Sequence, residues 1–306
     1  MRTWLRTSSL PLVTLVLAVP LSGILSPPSY DGLPTTPVTT LALLPLTKFA
    51  MFLIAAVGLG LAAIPGLLLA DLERAQAAAR WAYGFSVASL AVLLLTLSDI
   101  LAVSLWEVTD LEFVVSFITQ IDEGRYLMLQ VLLGIIAGWA LQQSRTQLEL
   151  TFGIVSLAIA GVLPAFTGHS TANIEHWVVS SIMIVHLASM LIWVGGVIGL
   201  VAVGTPTAAV TRFNRLALFA YVTIVLSGVG STFSRVASWT DFWGDRSALV
   251  LGVKVLLVLA IGVLGYRLRA AIAVGHGRIQ RILGIEASLL LTVIALAVTL
   301  ERMANP

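Results

Sequence analysis

The feature that most constrains this 306-residue chain is its series of long apolar stretches. A helix needs roughly 20 predominantly apolar residues to cross the hydrocarbon core of a bilayer. Composition agrees, because 58% of the residues are hydrophobic and only 10% are charged, whereas a soluble domain carries about 25% charged residues. The sequence therefore predicts an all-α fold, a polytopic transmembrane helix bundle.

The hydropathy pattern predicts nine spans, and the first is the shortest. Arg2 and Arg6 before it resemble the start of a signal peptide. No A-x-A cleavage pattern follows, so we expect residues 1–40 to form an N-terminal helix, as an anchor or an uncleaved signal, with an outer loop. The nine spans lie at about 10–25, 41–70, 81–101, 126–141, 150–167, 177–203, 216–233, 248–268 and 282–300. The second is long enough to be tilted, or kinked at Pro65.

The basic residues predict the orientation of the spans, because cytoplasmic loops carry an excess of Lys and Arg. An N-terminus in the cytoplasm and a C-terminus outside put most arginines in inner segments: Arg2, Arg6, Arg74, Arg80, Arg145, Arg212, Arg215, Arg267, Arg269, Arg278 and Arg281. The outer segments then hold only Arg125, Arg235, Arg246 and Arg302. Because the basic residues are spread over short loops, the sequence does not indicate a nucleic-acid-binding face.

An internal repeat is suggested by two segments at a constant offset. Residues 48–58 lie over residues 186–196 when the chain is aligned with itself, and Lys48 then aligns with His186. The sequence predicts a first four-helix repeat over 41–167 and a second over 168–306. Both begin outside, so an axis along the membrane normal would relate them. In the outer loop, Thr109-x-x-Glu112 has the form of a capping box and predicts a short interfacial helix.

The candidate chemistry lies in the sixth span, where Met183, His186, Met190 and Trp193 follow at steps of three, four and three. That spacing places the four side chains on one helical stripe. Imidazole and thioether ligands suit copper, above all Cu(I), better than Mg²⁺ or Ca²⁺. The chain has no cysteine, so thiolate sites, disulfides and cysteine nucleophiles are excluded. A purely structural alternative stays open, since methionine fills gaps between helices and an intramembrane histidine can bond across them.

Three other features complete the set of candidate residues. His169 and His176 lie in the short outer loop before the sixth span and are candidate ligands of a receiving copper site above His186. Lys48 and Asp99 lie inside apolar spans, and the sequence suggests that they form a structural ion pair. No nucleophile triad, phosphate loop or catalytic carboxylate pair is present, so we expect a protein without enzymatic activity.

The sixth span resembles the copper resistance D (CopD) family, in which a histidine is followed seven residues later by tryptophan and a glycine pair, here His186, Trp193 and Gly195-Gly196. Two later stretches, 215–232 and 246–254, are also similar to it, and the whole resemblance covers about 41–300. It implies a protein of the bacterial cytoplasmic membrane acting in copper uptake or resistance, with copper as Cu(I) or Cu(II). The resemblance also implies a periplasmic copper-binding protein as a possible partner.

Two other function classes remain open at this stage. A b-type haem electron carrier would use axial histidines at membrane depth, and only His186 lies there. An assembly factor for a copper-containing oxidase would bind the same ion and pass it to a partner. The sequence does not separate transport from delivery, nor does it predict an oligomeric state.

Overall fold

The computed structural model describes residues 35–166, 176–204, 207–235, 246–272 and 276–303. Over these ranges the regular structure is helical, without a strand. Helices in the first half are α1 Val38–Ala63, α2 Leu72–Gln76, α3 Ala79–Leu101, α4 Leu111–Gln120, α5 Asp122–Gln143 and α6 Gln147–Val162. Those in the second half are α7 His176–Ala202, α8 Thr207–Arg235, α9 Arg246–Ile272 and α10 His276–Met303.

Eight of these segments are long and apolar enough to cross a membrane, which confirms the predicted helical membrane bundle. They correspond to the second through ninth predicted spans. The first predicted span, at 10–25, lies outside the described residues. Small and apolar side chains at the helix contacts form a core that runs through the bundle.

Three predicted helix starts are wrong by four to nine residues. The helix of the fourth predicted span begins at Asp122 rather than at 126, that of the seventh at Thr207 rather than at 216, and that of the ninth at His276 rather than at 282. In the second case the polar residues that lower the hydropathy belong to the helix. Arg212 lies in its second turn and donates from Nη1 to the carbonyl oxygen of Leu68 at 2.9 Å, so a polar side chain extends the helix beyond the apolar span.

The second predicted span, which contains α1, departs from regular α-helix at Pro65. This is one of the two alternatives that the sequence predicts for it. α1 ends at Ala63, and a π-helical turn follows over Ile64–Leu68. Proline has no N–H to continue the α-helical ladder. Its carbonyl oxygen instead accepts from the backbone N–H groups of Leu69 and Asp71, at 3.2 and 2.9 Å. The chain then turns into α2.

The predicted short helix is confirmed as α4, but its predicted cap is wrong. Asp110 is extended at the helix start and its carboxylate accepts from the backbone N–H of Glu112 at 3.1 Å. Thr109 belongs to the preceding turn and donates its hydroxyl to the carbonyl of Trp106 at 2.7 Å. Phe117 is buried while other apolar side chains of α4 are exposed, as expected for a helix lying at a membrane surface.

Each half of the chain forms a ring of four spans. In the first half α1 contacts α3, α3 contacts α5, α5 contacts α6, and α6 returns to α1. The second half follows the same order from α7 through α8, α9 and α10, although α8 and α9 meet only sparsely. The first helices of the two rings, α1 and α7, pack extensively on each other. This arrangement is compatible with a parallel repeat; the repeat and its boundaries at 41–167 and 168–306 stay a prediction.

Glycines allow α1 and α7 to touch through their backbones. A Cβ atom at Gly60 would collide with the carbonyl oxygen of Gly195, and one at Gly199 would collide with the carbonyl oxygen of Gly60. A Cβ at Gly195 would lie 2.6 Å from the carbonyl oxygen of Ala56. The glycines of the sixth span therefore allow close helix approach.

Candidate functional site

His186 of α7 contacts Ser227 of α8. Its Nδ1 atom is 2.9 Å from the hydroxyl oxygen of Ser227. That hydroxyl also lies 2.6 Å from the carbonyl oxygen of Thr223, to which it donates. Since a hydroxyl has a single hydrogen, Ser227 accepts from the Nδ1–H of the imidazole when it donates to Thr223. The Nε2 atom of His186 then carries the lone pair, which is the tautomer that a metal ion requires at that nitrogen.

A glycine in α8 faces the imidazole ring at the same level. The nearest atom to a Cβ placed at Gly228 would be Cε1 of His186, at 3.7 Å. The ring is half-buried and lies ten residues after the first residue of α7, hence about 15 Å along the axis at 1.5 Å per residue. The histidine thus lies well inside the membrane-spanning part of the bundle.

Met183 and Met190 lie one turn before and one turn after His186 on the same helix. Side chains three and four positions apart are neighbours on a helix surface. Both methionines are half-buried, and Met190 packs against the apolar core. The helix therefore supports the predicted stripe, while the ligand role of the two thioethers stays a prediction.

The two loop histidines are not placed relative to His186. His169 lies outside the described residues, and His176 is the first residue of α7, with its side chain outside the description. Within the described ranges no group of three or more His, Asp or Glu side chains could hold a metal ion. The receiving site therefore stays a prediction.

The tryptophan of the stripe makes a contact that the sequence did not suggest. Nε1 of Trp193 donates to Oε1 of Glu286, in α10, at 2.9 Å. Both side chains are buried, with 4% and 3% of their surface exposed. Tyr221 of α8 packs edge-on against the indole, with ring centroids 5.4 Å apart and an angle of 84°.

Glu286 was missed by the sequence analysis although a signal for it exists. It is an acidic residue inside an otherwise apolar span, and such a residue indicates function by default. Its second oxygen, Oε2, is buried and has no hydrogen-bond partner among the residues that the structure describes. Glu286 also lines a cavity of about 220 Å³ between α7, α8, α9 and α10.

The predicted ion pair between Lys48 and Asp99 involves neighbouring antiparallel helices. The hydroxyls of Thr40 and Ser98 lie 2.7 Å apart and so set the register of α1 against α3. Asp99 follows Ser98 directly, and its backbone carbonyl accepts from the hydroxyl of Thr36 at 3.4 Å. Lys48 lies eight residues beyond Thr40, about 12 Å along the axis. An ion pair would have to bridge that offset, and it stays a prediction.

One family model matches part of the second half of the chain. Residues 207–300 match the model of the CopD family, described as copper resistance protein D. The matched segment comprises α8, α9 and most of α10, and so contains Ser227 and Glu286, whereas His186 and Trp193 precede it. The match confirms the predicted resemblance over these residues, while its earlier part, over 41–206, stays a prediction. Comparisons with curated proteins and with solved structures gave no match.

Proposed function

We propose that this membrane protein, which residues 207–300 assign to the copper resistance D family, takes up copper from the periplasmic side of a bacterial cytoplasmic membrane and transports or delivers it. The family suggests a role in copper resistance or homeostasis. In this proposal His186, Met183 and Met190 form an inner copper site. His169 and His176 act as the receiving ligands at the outer end of α7.

The observation that carries the proposal is the hydrogen bond between His186 and Ser227. It joins the Met-His-Met stripe of α7 to the segment that matches the family. Metal-binding histidines usually donate their second N–H to an acceptor that holds the ring in place. Ser227 is such an acceptor when its own hydroxyl donates to the carbonyl oxygen of Thr223.

The chemistry of the available ligands favours copper over other metal ions. Thioether sulfur is a soft ligand that selects Cu(I), and imidazole also binds copper well. The chain has no cysteine and therefore no thiolate that would compete for the ion. Because a site with few ligands releases its ion readily, this set suits transfer better than storage.

The proposed direction rests on the distribution of charge. An excess of arginine in alternate loops favours a cytoplasmic location for them, for example the loop between α5 and α6 that holds Arg145. The outer end of α7 then faces the periplasm. A copper ion bound by His186 would have entered from that side.

Metal analysis of the purified full-length protein after loading with Cu(I) tests the proposal. We expect stoichiometric copper in the wild type and none in His186→Ala. Met183→Leu and Met190→Leu should each weaken binding, because leucine preserves volume but lacks sulfur. Met128→Leu is the matched control, since Met128 is a half-buried methionine of α5, in the other half of the bundle.

The fold of each variant is checked by its helical circular dichroism and its elution from size-exclusion chromatography. Full copper occupancy in a folded His186→Ala variant would refute the inner site. Equal losses in Met128→Leu and Met183→Leu would show that methionine content, rather than the stripe, determines binding.

A further inference from the structure

We propose that the cavity between α7, α8, α9 and α10 binds a small molecule carrying a protonated amine, whose N–H group donates to Oε2 of Glu286. This site is separate from the copper site and goes beyond copper handling. It rests on the geometry of one buried carboxylate, on the side chains around it and on the size of the space that it faces.

The first argument is the unfilled hydrogen-bonding capacity of Glu286. Oε1 accepts from Trp193 at 2.9 Å, whereas no donor of the described residues reaches Oε2. Buried polar atoms without a partner are rare in native proteins, and each one calls for an explanation such as a bound group. A carboxylate inside a membrane span is costly unless a cation accompanies it.

The second argument is that the carboxylate faces a space of molecular size that is accessible from outside the bundle. The cavity holds about 220 Å³ and lies where α8 and α9 are poorly packed on each other. Leu218 and Tyr266 line it, and 46% and 74% of their surfaces are exposed. A small amine can therefore enter between α8 and α9.

The third argument is the aromatic lining. Trp193, Phe213, Tyr221 and Tyr266 all border the cavity. A cation over the face of an aromatic ring is attracted by the ring quadrupole, and more strongly when it is desolvated. An ammonium group beside Glu286 would therefore meet both a carboxylate and aromatic rings.

Two glycines allow the aromatic rings to take these positions. A Cβ atom at Gly196 would collide with the ring of Phe213. A Cβ atom at Gly262 would lie 2.5 Å from the hydroxyl oxygen of Tyr221. The rings of Phe213 and Tyr221 therefore pack directly on glycine backbone of α7 and α9 at the edge of the cavity.

The lining does not suit a metal ion. It contains no histidine, methionine or cysteine among the residues described, so it lacks the ligands that copper prefers. Hard cations such as Mg²⁺ and Ca²⁺ take about six or more oxygen ligands. The polar side chains here are those of Glu286, Asn214, Tyr221 and Tyr266, which are too few. An amine with an apolar body matches the lining better.

Thermal unfolding of the full-length protein in detergent, with n-butylammonium chloride as the probe, tests the site. A ligand that binds only the folded state raises the melting temperature, because it stabilises that state by RT ln(1 + [L]/Kd). We expect n-butylammonium to raise it well above the effect of equal NaCl. In Glu286→Gln the apparent affinity should fall at least about tenfold, because the amide keeps the shape but loses the charge.

Two further variants serve as control and as an independent test. Glu149→Gln removes an exposed carboxylate from α6 and should leave the response unchanged. Ala217→Leu fills the cavity while Glu286 is kept, and it should abolish the response without lowering copper occupancy. The copper measurement separates failure of this site from failure of the proposed copper function.

Three results would overturn the amine site. One is equal protection of the wild type by NaCl and by n-butylammonium. Another is an undiminished response in both Glu286→Gln and Ala217→Leu. The third combines two observations: Glu286→Gln melts at a higher temperature than the wild type, and the wild type does not respond to the amine. The carboxyl group of Glu286 would then hold only a proton.

Discussion

Trp193 and Glu286 join α7 to α10 through a hydrogen bond of 2.9 Å between the indole Nε1 and the carboxylate Oε1. The two residues lie 93 positions apart in the chain and are both almost fully buried. The bond links the first and the last of the four helices in the second half, on the inside of the bundle. It also connects the stripe that carries His186 to the carboxylate that lines the cavity.

Replacing Trp193 by phenylalanine is expected to destabilise the protein more than replacing Glu286 by glutamine. Trp193→Phe leaves neither oxygen of Glu286 with a donor, which costs about 1–3 kcal/mol or more for a charged group. Glu286→Gln keeps an acceptor for the indole and removes the charge. Thermal melts in detergent measure both changes.

Trp139→Phe is the control for this prediction, because 61% of the surface of Trp139 is exposed. It should leave the melting temperature nearly unchanged. If Trp193→Phe melts like Trp139→Phe, the hydrogen bond to Glu286 does not contribute to stability.

Removal of the Ser227 hydroxyl is expected to lower copper affinity without removing a ligand. Loss of a group that orients a metal-binding histidine typically reduces metal affinity by about 10–100-fold. Ser227→Ala should therefore bind copper more weakly than wild type and more tightly than His186→Ala. A competition titration with a Cu(I) chelator provides the affinities.

Thr232→Val is the matched control for the hydroxyl. The Thr232 hydroxyl donates to the carbonyl of Gly228 in the same helix at 2.9 Å, so its loss leaves the His186–Ser227 bond intact. Unchanged affinity in Ser227→Ala would argue against the proposed orientation of the imidazole.

Alanine at Gly60 is expected to disrupt the contact between α1 and α7. The new methyl group would collide with the carbonyl of Gly195, and overpacking of this kind costs about 1–3 kcal/mol. Gly252→Ala in α9 is the control, since nothing lies within 4 Å of a Cβ at that position. In a helix that change stabilises by up to about 1 kcal/mol. Melting temperatures that move in the same direction for both variants would contradict the close contact.

Cysteine labelling tests the proposed orientation without background, because the chain has no native cysteine. Trp106→Cys introduces a thiol at a position where 86% of the side chain is exposed, in the loop after α3. Arg145→Cys introduces one in the loop after α5, where the side chain is also exposed. A membrane-impermeant maleimide applied to spheroplasts should label the first variant only. Labelling of Arg145→Cys alone would reverse the orientation.

The spans could be predicted from sequence because hydropathy over about 20 residues depends on the lipid solvent rather than on tertiary contacts. The positions of the helix ends could not be predicted in this way, since they depend on individual polar groups. Arg212 belongs to α8 because its side chain reaches the Leu68 carbonyl. Asp110 displaces Thr109 as a cap because it lies at the residue where the backbone is extended.

The candidate site was predictable along one helix but not between helices. The spacing of Met183, His186 and Met190 follows from helical periodicity alone. The partners of that stripe, Ser227 and Glu286, come from α8 and α10, and their contacts depend on the register of each helix pair. An unusual acidic residue in an apolar span singles out Glu286, but it does not reveal Trp193 as its partner.

The backbone contact between α1 and α7 has a consequence for how the two halves can move. Carbonyl oxygens of Ala56 and Gly60 lie against glycines of α7 with no side chain between them, and close-packed contacts of this kind have low compressibility. By contrast, α8 and α9 share few contacts. We therefore expect a change of shape to separate α8 from α9 while α1 and α7 stay packed on each other.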